Sequence, residues 1–153
     1  MENSYLIQYD ALEKGHAHEQ NGEYEKAYAC YKQAADAGNP VAAYMLGNLY
    51  YYGRYGLVEK LNAAKPIMPW DSIDDILQKM PDYRQAFGWY EKSAEAGYVF
   101  AINNLGVMYH FGQGVEQNDE KAKEYLLLAA GAGMEQSAAA LRDFYGMEVQ
   151  FDE

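Results

Sequence analysis

Residues 43 to 56 read "AYMLGNLYYYGRYG", and residues 101 to 114 say nearly the same thing, "AINNLGVMYHFGQG". A third, eroded copy follows at residues 138 to 146, "AAALRDFYG". Glycines register the copies: "YKQAADAG" ends at Gly38, "YEKSAEAG" at Gly97 and "LLLAAGAG" at Gly133. Four residues beyond each stands a small side chain (Ala42, Ala101, Ser137), eight beyond a leucine (Leu46, Leu105, Leu141) and twelve beyond a tyrosine (Tyr50, Tyr109, Tyr145). The interval from Gly38 to Gly97 is 59 residues, and from Gly97 to Gly133 it is 36. Repeats on this scale mark stacked helical pairs.

Helical spacing puts Ala42, Leu46, Leu49 and Tyr50 on one face of a first helix, and Ala101, Leu105, Met108 and Tyr109 on its counterpart. Partner helices are expected over Tyr24 to Ala37, Tyr83 to Ala96 and Asp119 to Ala132. Each has a small residue near its start (Ala27, Ala86, Ala122) and a large one four positions later (Tyr31, Tyr90, Leu126). Gly38, Gly97 and Gly133 stand where a helix C-terminus favours a left-handed residue. A single pair cannot bury both of its apolar faces, so the units must stack. The expected fold is all-α, a right-handed α/α solenoid of about three and a half helical pairs.

The clearest copy carries Ala101, Leu105, Gly106, Tyr109, Gly112, Gly114, Val115, Asp119, Lys121, Ala122, Ala129, Ala130 and Gly133. This spaced pattern resembles the Sel1-like repeat family. The first segment, "LEKGHAHEQNGEYEKAYACYKQAADAG", resembles the related tetratricopeptide repeat through its short N-G-E-Y turn. On that likeness the chain divides into a first unit at 5–38, a repeat at 39–97 with an insertion at about 57–81, and a repeat at 98–133. A capping helix at 134–146 and an acidic tail at 147–153 complete it. The final copy has Arg142 where the others have glycine, in keeping with a cap.

Charge narrows the partners. Lys and Arg total 12 against 23 Asp and Glu, a formal net charge of −11. A phosphate backbone or an anionic membrane surface is repelled on average, and a basic protein or peptide is favoured. No apolar run approaches the ~18 residues of a membrane span. The N-terminus lacks the basic start and apolar core of a secretory signal, so a cytoplasmic location is expected. One cysteine, Cys30, leaves no internal disulfide framework.

What the resemblance implies is a non-catalytic protein-binding scaffold or adaptor. In such folds the outward face of each first helix lines a concave groove. Here that face carries Tyr44, Asn48, Tyr51 and, more laterally, Tyr52, then Asn103, Val107, His110 and Phe111. Asparagine amides suit an extended peptide backbone, and tyrosines give broad contact at little entropic cost. The insertion contains Pro66, Pro69 and an amphipathic stretch with Ile73, Ile76, Leu77 and Met80, preceded by Trp70. It is expected either to pack on the solenoid or to project as a second contact anchored by Trp70.

Catalytic chemistry finds little footing. His16 and His18 are two apart and point to different sides of a helix, a poor metal pair. Asp71, Asp74 and Asp75 lack the alternation of a calcium loop. No Walker-type lysine follows the glycine turns. Neither a cofactor nor a metal is expected. The other functions consistent with the residues are an immunity or antitoxin-type inhibitor of a basic toxin, and weak homodimerisation if the end faces are incompletely capped. A hydrolase like the cysteine-rich, β-lactam-binding relatives would require cysteine pairs that this chain lacks.

Overall fold

In the computed structural model, residues 4–55 and 82–151 are described. They form seven α-helices and no strand: α1 (Ser4–Gln20), α2 (Tyr24–Asp36), α3 (Pro40–Tyr51), α4 (Tyr83–Glu95), α5 (Val99–Phe111), α6 (Asp119–Gly131) and α7 (Glu135–Tyr145). The helices pair as α1/α2, α3/α4 and α5/α6, with α7 closing the row. The odd-numbered helices form one layer of the right-handed α/α solenoid and the even-numbered helices the other. Trp70 and the rest of the 57–81 insertion lie outside the described residues.

Local chemistry starts and stops each helix. Asn39 accepts a hydrogen bond from the Ala42 amide at 3.0 Å, and Pro40 occupies the first helical turn of α3, where a missing N–H costs nothing. Asp82 and Asn118 cap α4 and α6 in the same way, at 3.1 and 3.0 Å. Between the second helix of one pair and the first of the next, Gly38, Gly97 and Gly133 adopt φ of 97°, 86° and 93°. This is the left-handed turn that only glycine takes without strain, and it reverses the chain in a few residues.

The core is a set of columns, one residue per repeat. Ala27, Ala86 and Ala122 are fully buried, as are Ala34, Ser93 and Ala129 and the leucines Leu46, Leu105 and Leu141. Ser93 donates to the Pro40 carbonyl at 2.7 Å, so the one polar member of its column is satisfied.

The deepest column is a close approach between paired helices. Tyr31 on α2 lies against Gly15 on α1, Tyr90 on α4 against Gly47 on α3, and Leu126 on α6 against Gly106 on α5. A Cβ at these glycines would meet the facing side chain at 2.5, 2.5 and 2.7 Å. Ordinary carbon contacts need about 3.5–4.0 Å, so no larger residue fits unless the facing side chain or its helix shifts.

The two ends break this pattern. The positions of Ala42 and Leu46, which pack on the preceding helix α2, correspond in α1 to Asp10 and Lys14. These form an exposed ion pair at 2.7 Å. At the other end Arg142 takes the glycine position and is exposed. Met147 and Val149 fold back on the cluster of Leu126, Ala130 and Leu141.

Two glycines of opposite surroundings test this account. Gly47→Ala is expected to cost about 1–3 kcal/mol through overpacking against Tyr90. Gly88→Ala, on an exposed part of α4 with open space around it, is expected to add up to about 1 kcal/mol through helix propensity. Urea unfolding of the two variants reads both signs; a neutral Gly47→Ala would sink the close-approach explanation.

Candidate functional site

The glycine contacts carry the second-layer rings past the first-layer helices to the face that was expected to bind. The Tyr31 hydroxyl donates to Glu19 Oε2 at 2.6 Å and lies 3.3 Å from His16 Nδ1. The Tyr90 hydroxyl donates to Asn48 Oδ1 at 2.7 Å. In the third pair the ring is replaced by Leu126, and the residue after the glycine is Val107, which packs on the cluster containing Leu126. His16, Asn48 and Val107 each follow their helix glycine by one residue. The repeats thus serve as one another's control: a buried phenol is matched by a polar acceptor, and a buried leucine by an aliphatic neighbour.

Burial raises both phenols well above their ordinary value of 10. For Tyr31 the Glu19 carboxylate adds to the effect. For Tyr90 the neighbouring Tyr44 adds to it, while a hydrogen bond from Asn104 opposes it. Desolvation of an anion is the larger cause in each case.

Tyr44 is half-buried and touches Tyr98 and Phe100, with ring centroids 5.2 and 6.2 Å away. Asn48 has its carbonyl engaged by Tyr90, and its amide nitrogen lies 4.0 Å from the Met45 sulfur. Tyr51 sits 5.1 Å from Tyr83 and donates to Gln113 Oε1 at 3.1 Å, tying α3 to the turn after α5. Tyr52 is 63% exposed, beneath the Arg54 guanidinium at 5.4 Å. Tyr55, also unexplained by the repeat pattern, stacks flat on Tyr28 at 3.8 Å.

The α5 candidates fall in a second group. Asn103 accepts from Ser137 at 2.8 Å, and its amide approaches Asn104 Oδ1 at 3.4 Å. His110 stacks on Phe144 with centroids 3.9 Å apart, and its Nδ1 is 2.8 Å from the Tyr145 hydroxyl. That hydroxyl donates to Asp119 at 2.9 Å, and burial, followed by Asp119, pushes the Tyr145 phenol up to about 12. Phe111 is exposed and meets Phe144 edge-on at 5.5 Å. The expected site residues therefore divide between an α3–α5 seam and an α5–α7 cluster.

Sequence reasoning missed Tyr98 and Phe100. They lie at the start of α5, where the neighbouring repeats have Asn39 and Val41, then Met134 and Gln136, so no repetition signals them. It also missed that α3 and α5 contain no Asp, Glu, Lys or Arg, whereas α2, α4 and α6 all carry both signs. Among the described residues no cluster of three or more His, Cys, Asp or Glu could hold a metal, and no helix is long and apolar enough to cross a membrane. His18 bonds Glu23 at 2.7 Å, and Cys30 is half-buried.

The Sel1 repeat model matches residues 10–39, 40–65, 76–98 and 99–134. The chain belongs to the Sel1 repeat family. It superposes on the crystal structure of a Sel1 repeat protein from Oxalobacter formigenes with a TM-score of 0.68 and 25% identity, covering 92% of both chains. It is 34% identical over 99 residues to an uncharacterized protein of Neisseria meningitidis serogroup B, spanning 60% of this chain and 21% of that protein. It is 30% identical over 122 residues to an ERAD-associated E3 ubiquitin-protein ligase component of Arabidopsis thaliana, spanning 79% of this chain and 15% of that protein. The chain thus spans about a fifth or less of these two relatives. Sel1 repeats generally serve protein–protein interaction and are typically a non-catalytic scaffold fold.

The buried phenols generate a pH prediction. A phenol whose folded pKa lies above its unfolded value of about 10 lends stability that is complete below pH 10 and is lost as pH rises toward the folded value. Stability is therefore expected to fall steeply above pH 10. Tyr90→Phe should cost about 1 kcal/mol at neutral pH through the lost hydrogen bond to Asn48, yet show a shallower alkaline decline. Urea midpoints taken from pH 7 to pH 11 measure both; an equal slope in the variant would count against burial as the cause.

Proposed function

We propose that this Sel1 repeat chain is a non-catalytic adaptor that binds a protein or peptide along the outward face of α3 and α5. One observation carries this: in a chain of net charge −11, these two helices have no Asp, Glu, Lys or Arg, and their outward face carries aromatic rings and side-chain amides. Solvated helix faces ordinarily carry charge, as α2, α4 and α6 do here. Aromatic and amide side chains on an uncharged face are what partner surfaces are made of. Tyr52 and Phe111 occupy equivalent positions in successive repeats and are 63% and 58% exposed, which makes them the accessible anchors. The plant relative's name, as a component of a ubiquitin-ligase assembly, supports an assembly role. The surrounding excess of carboxylates favours a basic partner.

The test is affinity capture from source-cell lysate with three baits: the native chain, Tyr52→Lys with Phe111→Lys, and Glu25→Lys on the opposite layer. The expected result is a partner held by the native and Glu25→Lys baits and reduced at least about tenfold by the double variant, since two exposed anchors each carry roughly 1–2 kcal/mol. Equal capture by all three would remove this face from the function.

A further inference from the structure

Between α3 and α5 the rings form an unbroken ladder. Phe100 meets Tyr98 at 5.5 Å, Tyr98 meets Tyr44 at 5.2 Å, Tyr44 meets Tyr90 at 5.7 Å, Tyr90 meets Tyr51 at 6.3 Å and Tyr51 meets Tyr52 at 5.1 Å. The middle of the ladder is buried or half-buried, and the two end rings are open, Phe100 at 46% and Tyr52 at 63%. The polar groups along the seam are biased. Asn48 on the seam spends its carbonyl oxygen on the Tyr90 hydroxyl, and Asn103, on the α7 side of α5, spends its own on Ser137. Their amide nitrogens have only a sulfur at 4.0 Å and a neighbouring amide at 3.4 Å. Toward a ligand these side-chain amides therefore offer donors rather than acceptors.

We propose that this seam binds a proline-rich segment in the polyproline II conformation, flanked by at least one arginine or lysine. The assignment rests on the binding face inferred above and specifies its ligand. Spacing is the first argument. Tyr44 and Tyr51 are seven residues apart on α3, about 10.5 Å at ~1.5 Å per residue. Three residues of polyproline II advance about 9.3 Å and return to the same side. Three residues of a β-strand cover a similar distance and end on the opposite side, so a strand cannot place successive contacts on both rings. Hydrogen bonding is the second. A proline-rich backbone has carbonyls to offer and few N–H groups to satisfy, the complement of the Asn48 amide, whose carbonyl is already engaged. Charge is the third: apart from the Arg54 guanidinium over Tyr52, itself paired with Glu19, the aromatic floor carries no charge, while the chain as a whole is at −11, so an apolar, rigid core with a basic end matches both parts. The twelve residues of α3 span about 18 Å, the length of about six residues of polyproline II.

The probe is a fluorescein-labelled peptide of repeated Pro-Pro-Leu triplets with an arginine at each end, titrated with the full chain by fluorescence anisotropy. Two companions carry alanine in place of every proline, or glutamate in place of both arginines. Saturable binding of the first peptide is expected, with each companion at least about tenfold weaker, the equivalent of ~1.4 kcal/mol. Tyr52→Ala with Phe100→Ala, both at exposed positions, should weaken the first peptide by about tenfold or more. Equal binding of the alanine companion, or no saturable binding of the proline peptide by the native chain, overturns the proposal. If lysate capture still depends on Tyr52 and Phe111 while the proline peptide fails, only the ligand class is wrong. If both fail, the binding face is wrong too.

Discussion

The contact between a second-layer side chain and a first-layer glycine governs this molecule. It sets how closely the paired helices approach, because the ring of Tyr31 or Tyr90 lies where a Cβ would otherwise be. An approach this close also delivers the far end of a long side chain to the other side of the neighbouring helix. Packing and surface chemistry are therefore coupled through one residue. A tyrosine at this position must place its hydroxyl where an acceptor waits, since a buried phenol without one would lose about 1–3 kcal/mol.

That coupling explains why the repeats differ where they do. The pair with Tyr31 has His16 and Glu19 at the emerging hydroxyl, the pair with Tyr90 has Asn48, and the pair with Leu126 has Val107. Each choice in the second layer constrains one in the first. Asn48 is thus a structural acceptor as well as a surface amide, and its orientation follows from the Tyr90 hydroxyl. The candidate binding face inherits its hydrogen-bonding character from the core beneath it.

The ends of the described solenoid follow the same logic with its terms removed. At α1 the positions of Ala42 and Leu46 become the exposed ion pair of Asp10 and Lys14. At α7 the glycine position becomes Arg142, and the short return of Met147 and Val149 packs on Leu126, Ala130 and Leu141. Repeat proteins need polar or covered outer faces at such places, because an exposed stacking surface would pair with another.

The repeat, the helix pairs and the turn glycines were legible in the sequence, because each depends on spacing along one chain segment and glycine, alanine and leucine recur at fixed offsets. The family resemblance rests on the same offsets, as does the placement of Tyr44, Asn48, Tyr51 and Tyr52 on one helical face. What the spacing could not convey was contact between segments. Only the tertiary structure brought Tyr98 and Phe100 beside Tyr44, joined Asn103 to Ser137 across α5 and α7, and stacked His110 on Phe144. Helical periodicity reports which way a side chain points from its own axis. Which ring it meets there, and which of its polar atoms remains free, depends on how closely the next helix lies, and that distance is decided by the glycine it packs against.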